Sequence, residues 1–194
     1  MIGHGPSMKR LLAIATALSM ALGAPLGADD LADVRAQAGA RLFRAFLSAD
    51  VDVDRKKVEK DQILVVFLYT DDRHHAADLA ASFAGNPKEA VTIHGAPVLV
   101  ELSSDLSLAS YGARVPAGIF LAQAPAQNAL KSIIHYGIEH HVIVYSPFEG
   151  HVERGVLGGL AVEAQVRPYV NLTTLDASNI TLKPLFFKVT KVFR

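Results

Sequence analysis

Thr70-Asp71-Asp72 follows directly on the apolar run Ile63-Leu64-Val65-Val66-Phe67-Leu68. Two carboxylates and a hydroxyl at the end of a strand are hard oxygen donors and could hold Mg²⁺. The simpler reading is a helix start, where acidic residues satisfy free amides and suit the dipole without a third ligand. Histidine is the other reactive type. Beyond His4 the chain carries His74, His75, His94, His135, His140, His141 and His151. Neutral imidazoles bind Zn²⁺ or Cu²⁺ without thiolates, and His135, His140 and His141 are the candidate cluster for it. Adjacent side chains point apart on a helix or strand, so a His-His pair does not readily give two ligands to one ion. Residues near a helix end, where the dipole favours a cation, account for this cluster more simply. The expectation is therefore no metal and no cofactor, with that trio as the alternative.

Other chemistry is missing from the sequence. There is no Gly-x-Ser-x-Gly elbow, no phosphate-cradling Gly-rich loop ending in Lys-Ser/Thr, and no His-Glu-x-x-His. A Ser/His/Asp triad meets only in the fold, and no serine sits in a recognisable nucleophile turn. The absence of cysteine excludes disulfides, thiolate metal sites and thiol nucleophiles. A formal net charge of zero offers no broad basic field for nucleic acid. No enzyme activity is expected.

These residues need elements to place them. Leu31, Val34, Ala38, Leu42 and Phe46 recur at helical spacing and predict a helix over about 30–48, capped by Asp29 or Asp30. Charges from Asp50 to Asp61 mark a solvated connection. The Ile63–Leu68 run suits a strand covered on both faces, as in a parallel sheet. A helix with Ala76, Leu79, Ala80 and Phe83 inward follows Asp72 and ends at Gly85-Asn86-Pro87. Val91–Ile93 and Val98–Leu102 predict short strands around Gly95, and Ala117–Leu121 predicts a buried one. A helix over 126–136 then leads to a core strand at Val142–Tyr145. This alternation indicates an α/β fold: a single domain over 29–194, three-layer-like, with a mainly parallel sheet flanked by helices. Leu157–Glu163 and Val166–Leu172 predict an antiparallel hairpin. Leu182, Leu185, Phe186, Val189 and Phe193 then give the stripe of a terminal helix.

The first 28 residues read as a signal peptide. Lys9 and Arg10 precede twelve uncharged residues, Leu11 to Leu22, and Gly23 to Ala28 is a stretch of mostly small residues suited to cleavage after Ala28. Met8 is an alternative start. Cleavage removes two basic residues and no acidic one, and leaves a periplasmic chain with no further run of membrane-spanning length. Asn171-Leu172-Thr173 and Asn179-Ile180-Thr181 match glycosylation sequons by chance.

The C-terminal segment resembles the YfiR-like family. The resemblance rests on Gly158-Gly159-Leu160, the strand Val166-Arg167-Pro168-Tyr169-Val170-Asn171-Leu172, and Ile180 with Leu182 to Val189. The helix bearing Leu42, Phe43, Phe46 and Leu47, and the strand at Ile63–Leu68, are similar to the family's opening elements. The family's Trp-Pro after the opening helix is missing after Leu47, and its cysteines are absent, so disulfide-based control is not carried over. The resemblance implies a periplasmic regulator of an inner-membrane signalling protein, a diguanylate cyclase or histidine kinase, tying the chain to cyclic-di-GMP signalling. Such a protein acts by binding one state of its partner more tightly than another.

From the residues themselves, Gly158 and Gly159 are expected to allow positive φ before the hairpin. Asn171 is expected to cap the next segment. Pro168 cannot donate to a ladder, which places its strand at an edge or bulge. Gly158, Gly159, Arg167, Tyr169 and Asn171 thus mark a candidate surface for a partner or a homodimer. A small-molecule binding protein is the alternative, using a crevice at the strand ends near Thr70, Asp71, Asp72 and Tyr145.

Overall fold

The computed structural model describes residues 28–86 and 89–194. The expected leader lies, up to Gly27, outside the described residues, as does Pro87 of the expected helix stop. Helix α1 (Ala28–Ala49) leads through a 3-10 turn at Val53–Lys56 to strand β1 (Ile63–Leu68). Helix α2 (Arg73–Ala84) and the hairpin of β2 (Thr92–Ile93) and β3 (Ala96–Ser103) follow. His94 and Gly95 join that hairpin with φ of 49° and 83°, the left-handed pair that suits a two-residue turn. Then come β4 (Gly118–Leu121), α3 (Gln127–Glu139), β5 (Ile143–Ser146), β6 (Gly158–Val162), β7 (Val166–Asn171), α4 (Leu172–Ala177), α5 (Pro184–Phe187) and β8 (Lys191–Phe193).

The strands make one eight-stranded sheet in the order β2-β3-β1-β4-β5-β6-β7-β8. Its centre, β3-β1-β4-β5-β6, is parallel, while β2 and β7 run antiparallel to β3 and β6. This is the expected mixed α/β architecture, with the C-terminal β6-β7 hairpin followed by helix α4. All six residues of β1 are buried, as a strand covered on both faces requires. Ile63, Val65 and Phe67 join Phe43, Phe46 and Leu47 of α1 and Leu79 and Phe83 of α2. Leu64, Val66 and Leu68 join Leu130 and Ile133 of α3 on the other face. Phe43 centres an aromatic cluster, its ring 5.4–6.3 Å from those of Phe67, Phe83, Phe120 and Tyr145.

Five expectations need correction. α1 begins at Ala28, so Asp29 and Asp30 lie inside its first turn. Its buried stripe is Ala36, Ala40, Phe43, Phe46 and Leu47, while Leu31 and Val34 are exposed. Among the described residues the sheet meets the helix's C-terminal half, which leaves Leu31 and Val34 uncovered. Gly158 and Gly159 lie inside β6 without positive φ. A Cβ on Gly158 would sit 2.7 Å from the Phe46 ring, and one on Gly159 2.8 Å from the Ser146 carbonyl. Close approach, rather than a turn, requires glycine there.

The terminal helix is replaced by the one-turn α5 and strand β8, which pairs parallel with β7. Residues 181–183 are held extended against the end of α1, with Val51 N–H donating to Thr181 O and Lys183 N–H to Ala49 O. Pro184 can start a helix but not continue one, and β-branched Val189, Thr190 and Val192 favour the strand that follows. β7 is consequently not the sheet edge. Pro168 precedes the part of β7 that β8 covers, Tyr169 to Asn171, so its missing N–H costs no pairing there.

Candidate functional site

The chemistry-bearing residues collect at the two ends of the parallel strands. At the C-terminal ends of β1 and β4, Thr70, Asp71 and Asp72 line an open crevice of about 560 Å³ with Asp33, His75 and Gln123. The amides of Thr70, Asp71 and Asp72 converge on Gln123 Oε1 at 2.7, 3.1 and 3.2 Å. Gln123 Nε2 donates to Asp71 Oδ1 at 2.6 Å, which fixes the orientation of the amide. That bond and the Thr70 hydroxyl hold the Asp71 carboxyl below the usual carboxylate range. Asp72 caps α2, accepting from the His75 amide at 2.9 Å, as the helix-start reading requires. Gln123 gave no signal in the sequence, since a lone glutamine far along the chain carries no motif.

Tyr145 does not join this crevice. Its side chain is fully buried on the α1 face, against Phe43, Phe46 and Phe120, and its hydroxyl has no hydrogen-bond partner. Burial pushes the phenol well above its ordinary value. The next residue faces differently. Ser146 Oγ lies 2.8 Å from His151 Nδ1, and the Phe148 amide donates to the same oxygen. Ser146 is 1% exposed and His151 3%, so this pair is sealed within the fold. Desolvation lowers the His151 imidazole to about 4.

The three clustered histidines take separate contacts. His135 faces Glu139 at 3.6 Å, His140 packs its ring tilted against that of Tyr136 at 4.3 Å between centroids, and His141 Nδ1–H donates to the Ser178 carbonyl at 2.7 Å. Among the described residues no group of three or more His, Asp or Glu side chains is placed to hold a metal ion.

Of the five surface candidates, Arg167 alone is exposed, and it pairs with Glu163. Gly158 and Gly159 are buried. Tyr169 packs with Val152, Ala161 and Phe193 beneath the Lys191 ammonium. Asn171 is 3% exposed; it caps α4 by accepting from Thr174 N–H and donates to the Val152 carbonyl. The exposed apolar side chains of this region are others: Val162, Val166, Leu185, Val189 and Val192.

At the N-terminal ends of β1, β4 and β5 lies a second space, a cavity of about 630 Å³. Its wall comes from residues 50–59, 113–116, 140–141 and 179–180. Asp50, 1% exposed, accepts from Lys56 Nζ at 2.6 Å and from the Asp52 amide at 3.0 Å. Lys56 also donates to the His141 carbonyl at 2.7 Å. Arg114 donates to Glu101 at 2.9 Å, while its buried Nε–H has no acceptor.

No protein-family model and no curated protein matches the chain. Solved structures do share its fold. The ABC domain from Streptococcus pneumonia in complex with L-Trp superposes with a TM-score of 0.53 at 11% identity, over 82% of this chain and 62% of that one. A conserved domain protein from Vibrio cholerae gives a TM-score of 0.54 at 12% identity, over 82% and 60%. The chain therefore spans under two thirds of the length of either, and at such identity the likeness is one of fold.

Proposed function

We propose that this chain is an exported, non-enzymatic regulator that binds an inner-membrane signalling protein of the diguanylate cyclase or histidine kinase type. Export rests on the Lys9-Arg10, Leu11–Leu22 and Gly23–Ala28 leader pattern, and the partner class on the YfiR-like resemblance. The observation that supports a contact function is the C-terminal edge of the sheet. Among the described residues β8 pairs with β7 on one side only, which leaves its other backbone edge available to a strand from another chain. Around it Leu185 is 72% exposed, Val189 57% and Val162 56%, a local concentration of apolar groups in water. Regulation then follows from differential affinity: whichever state of the partner covers this edge better is the state that is held.

Photo-crosslinking from positions 185 and 192 in the native envelope tests the reading. The expected product is one inner-membrane protein with a cyclase or kinase domain, lost in a Leu185→Glu, Val189→Glu variant whose circular dichroism is unchanged. Crosslinks that survive these substitutions, or no crosslinked membrane protein at all, overturn it.

A further inference from the structure

The C-terminal edge of the sheet carries a charge as well as an unpaired side. The chain as a whole is formally neutral, but from Gly158 to Arg194 five basic side chains stand against two acidic ones, Glu163 and Asp176. Some of these cations are spent. Lys183 Nζ donates to the Ser48 carbonyl at the end of α1 at 2.9 Å. Arg167 and Lys191 share the single carboxylate of Glu163, and Lys191 also lies over the Tyr169 ring beside Glu149 and Glu153. Lys188 and Arg194 make no ion pair among the described residues. Lys188 N–H bonds back to the Leu185 carbonyl and Val189 N–H to that of Phe186, so Leu185, Lys188 and Val189 share one side of the turn. All three are exposed, while Phe186 packs its ring on Phe46. The edge thus combines uncovered apolar tips with unmatched positive charge.

We propose that the strand this edge receives is acidic: an extended segment of the partner that carries both apolar and carboxylate side chains. The inference rests on the regulator reading for the choice of edge and adds the chemistry of what docks there. Apolar side chains cover Leu185, Val189 and Val192, and carboxylates meet Lys188 and Arg194, so charge sets the choice of strand while backbone pairing supplies the attachment. The same cations disfavour a second copy of this chain. Two copies laid edge to edge would set Lys188, Lys191 and Arg194 of each against those of the other, and a short edge strand bearing lysine is how sheets resist pairing with themselves.

Alternating Val-Glu, Val-Lys and Pro-Glu octapeptides separate charge from strand, since the last keeps the carboxylates but lacks the amides of a ladder. Titrated into the purified chain and followed by amide NMR, the Val-Glu peptide is expected to shift Lys191, Val192 and Phe193. The other two should bind at least tenfold more weakly. Lys188→Glu with Arg194→Glu, both at exposed positions, should reverse the order so that Val-Lys binds better. Equal affinity for Val-Glu and Val-Lys, Pro-Glu binding as tight as Val-Glu, or no shift at millimolar peptide each overturns the proposal. So does a chain that dimerises through β8 in sedimentation, or phosphatidylglycerol vesicles shifting the same amides where the Val-Glu peptide does not. The photo-crosslinks report separately. Peptide selectivity without a crosslinked membrane protein sinks the regulator reading alone, and a crosslinked partner without selectivity sinks the acidic strand alone.

Discussion

At the C-terminal ends of β1 and β4 the amides of Thr70, Asp71 and Asp72 are closed off by a side chain of the same protein, Gln123, in contact with water. At the N-terminal ends the charged groups pair around a space that stays open, and one of them, Asp50, is buried. Ligand crevices of parallel α/β sheets normally form at the C-terminal end, where helix N-termini present free donors. Here Gln123 takes the amides of Thr70, Asp71 and Asp72, and Asp72 that of His75, while the charged groups at the other end pair around an open space. The difference teaches that topology offers a site while the side chains decide whether it is vacant.

The contrast breaks most readily through Lys56. Removing the ammonium strands the Asp50 carboxylate in the fold, and breaking a buried pair from one side costs about 3–5 kcal/mol. Lys56→Met should therefore lower the urea midpoint strongly, and Asp50→Asn in the same chain should recover much of the loss. Asp71→Asn at the opposite end should move the urea midpoint far less, because its partners are exposed. Equal costs at the two ends would remove the distinction.

How far the sequence foretells this depends on how local each feature is. β1 was readable because a continuous apolar run needs no partner to be recognised, and Thr70-Asp71-Asp72 because it abuts that run. Asn171 was readable as a cap from its place after a strand. The position of Tyr145 at a strand end points to the crevice, but strand alternation turns its ring toward Phe43. The apolar spacing from Leu182 to Phe193 fits a helix, yet sheet pairing with β7 prevails over it. The cavity left no trace, since its wall is assembled from four segments between residues 50 and 180.

One polar pair at the C-terminal end behaves like the core of the other end, and pH isolates it. The buried His151 imidazole titrates near 4 in the fold, against 6.5 for the unperturbed group. The unfolded chain therefore takes up a proton between these values that the folded chain refuses. Stability is full above about pH 6.5 and falls as pH drops toward 4, by on the order of 2 kcal/mol. The carboxyls held below their usual range, Asp54, Asp71, Asp105 and Glu163, lose their contribution only at lower pH. Urea midpoints between pH 7 and 4.5 should decline for the native chain and stay nearly flat for His151→Gln. A parallel decline in both would place the proton elsewhere.

A small effect is also expected where the comparison began. Gln123→Ala removes the acceptor shared by three amides, yet those amides face a crevice that water enters. Water replaces the lost acceptor, so the net cost should be about 1 kcal/mol rather than the sum of three bonds. Hydrogen exchange should quicken at Thr70, Asp71 and Asp72 while Val65 and Phe67 of β1 keep their protection. If global stability instead fell by as much as in Lys56→Met, Gln123 would be a structural keystone. The C-terminal end would then be closed by necessity, and its silence as a binding site would say nothing about the cavity opposite.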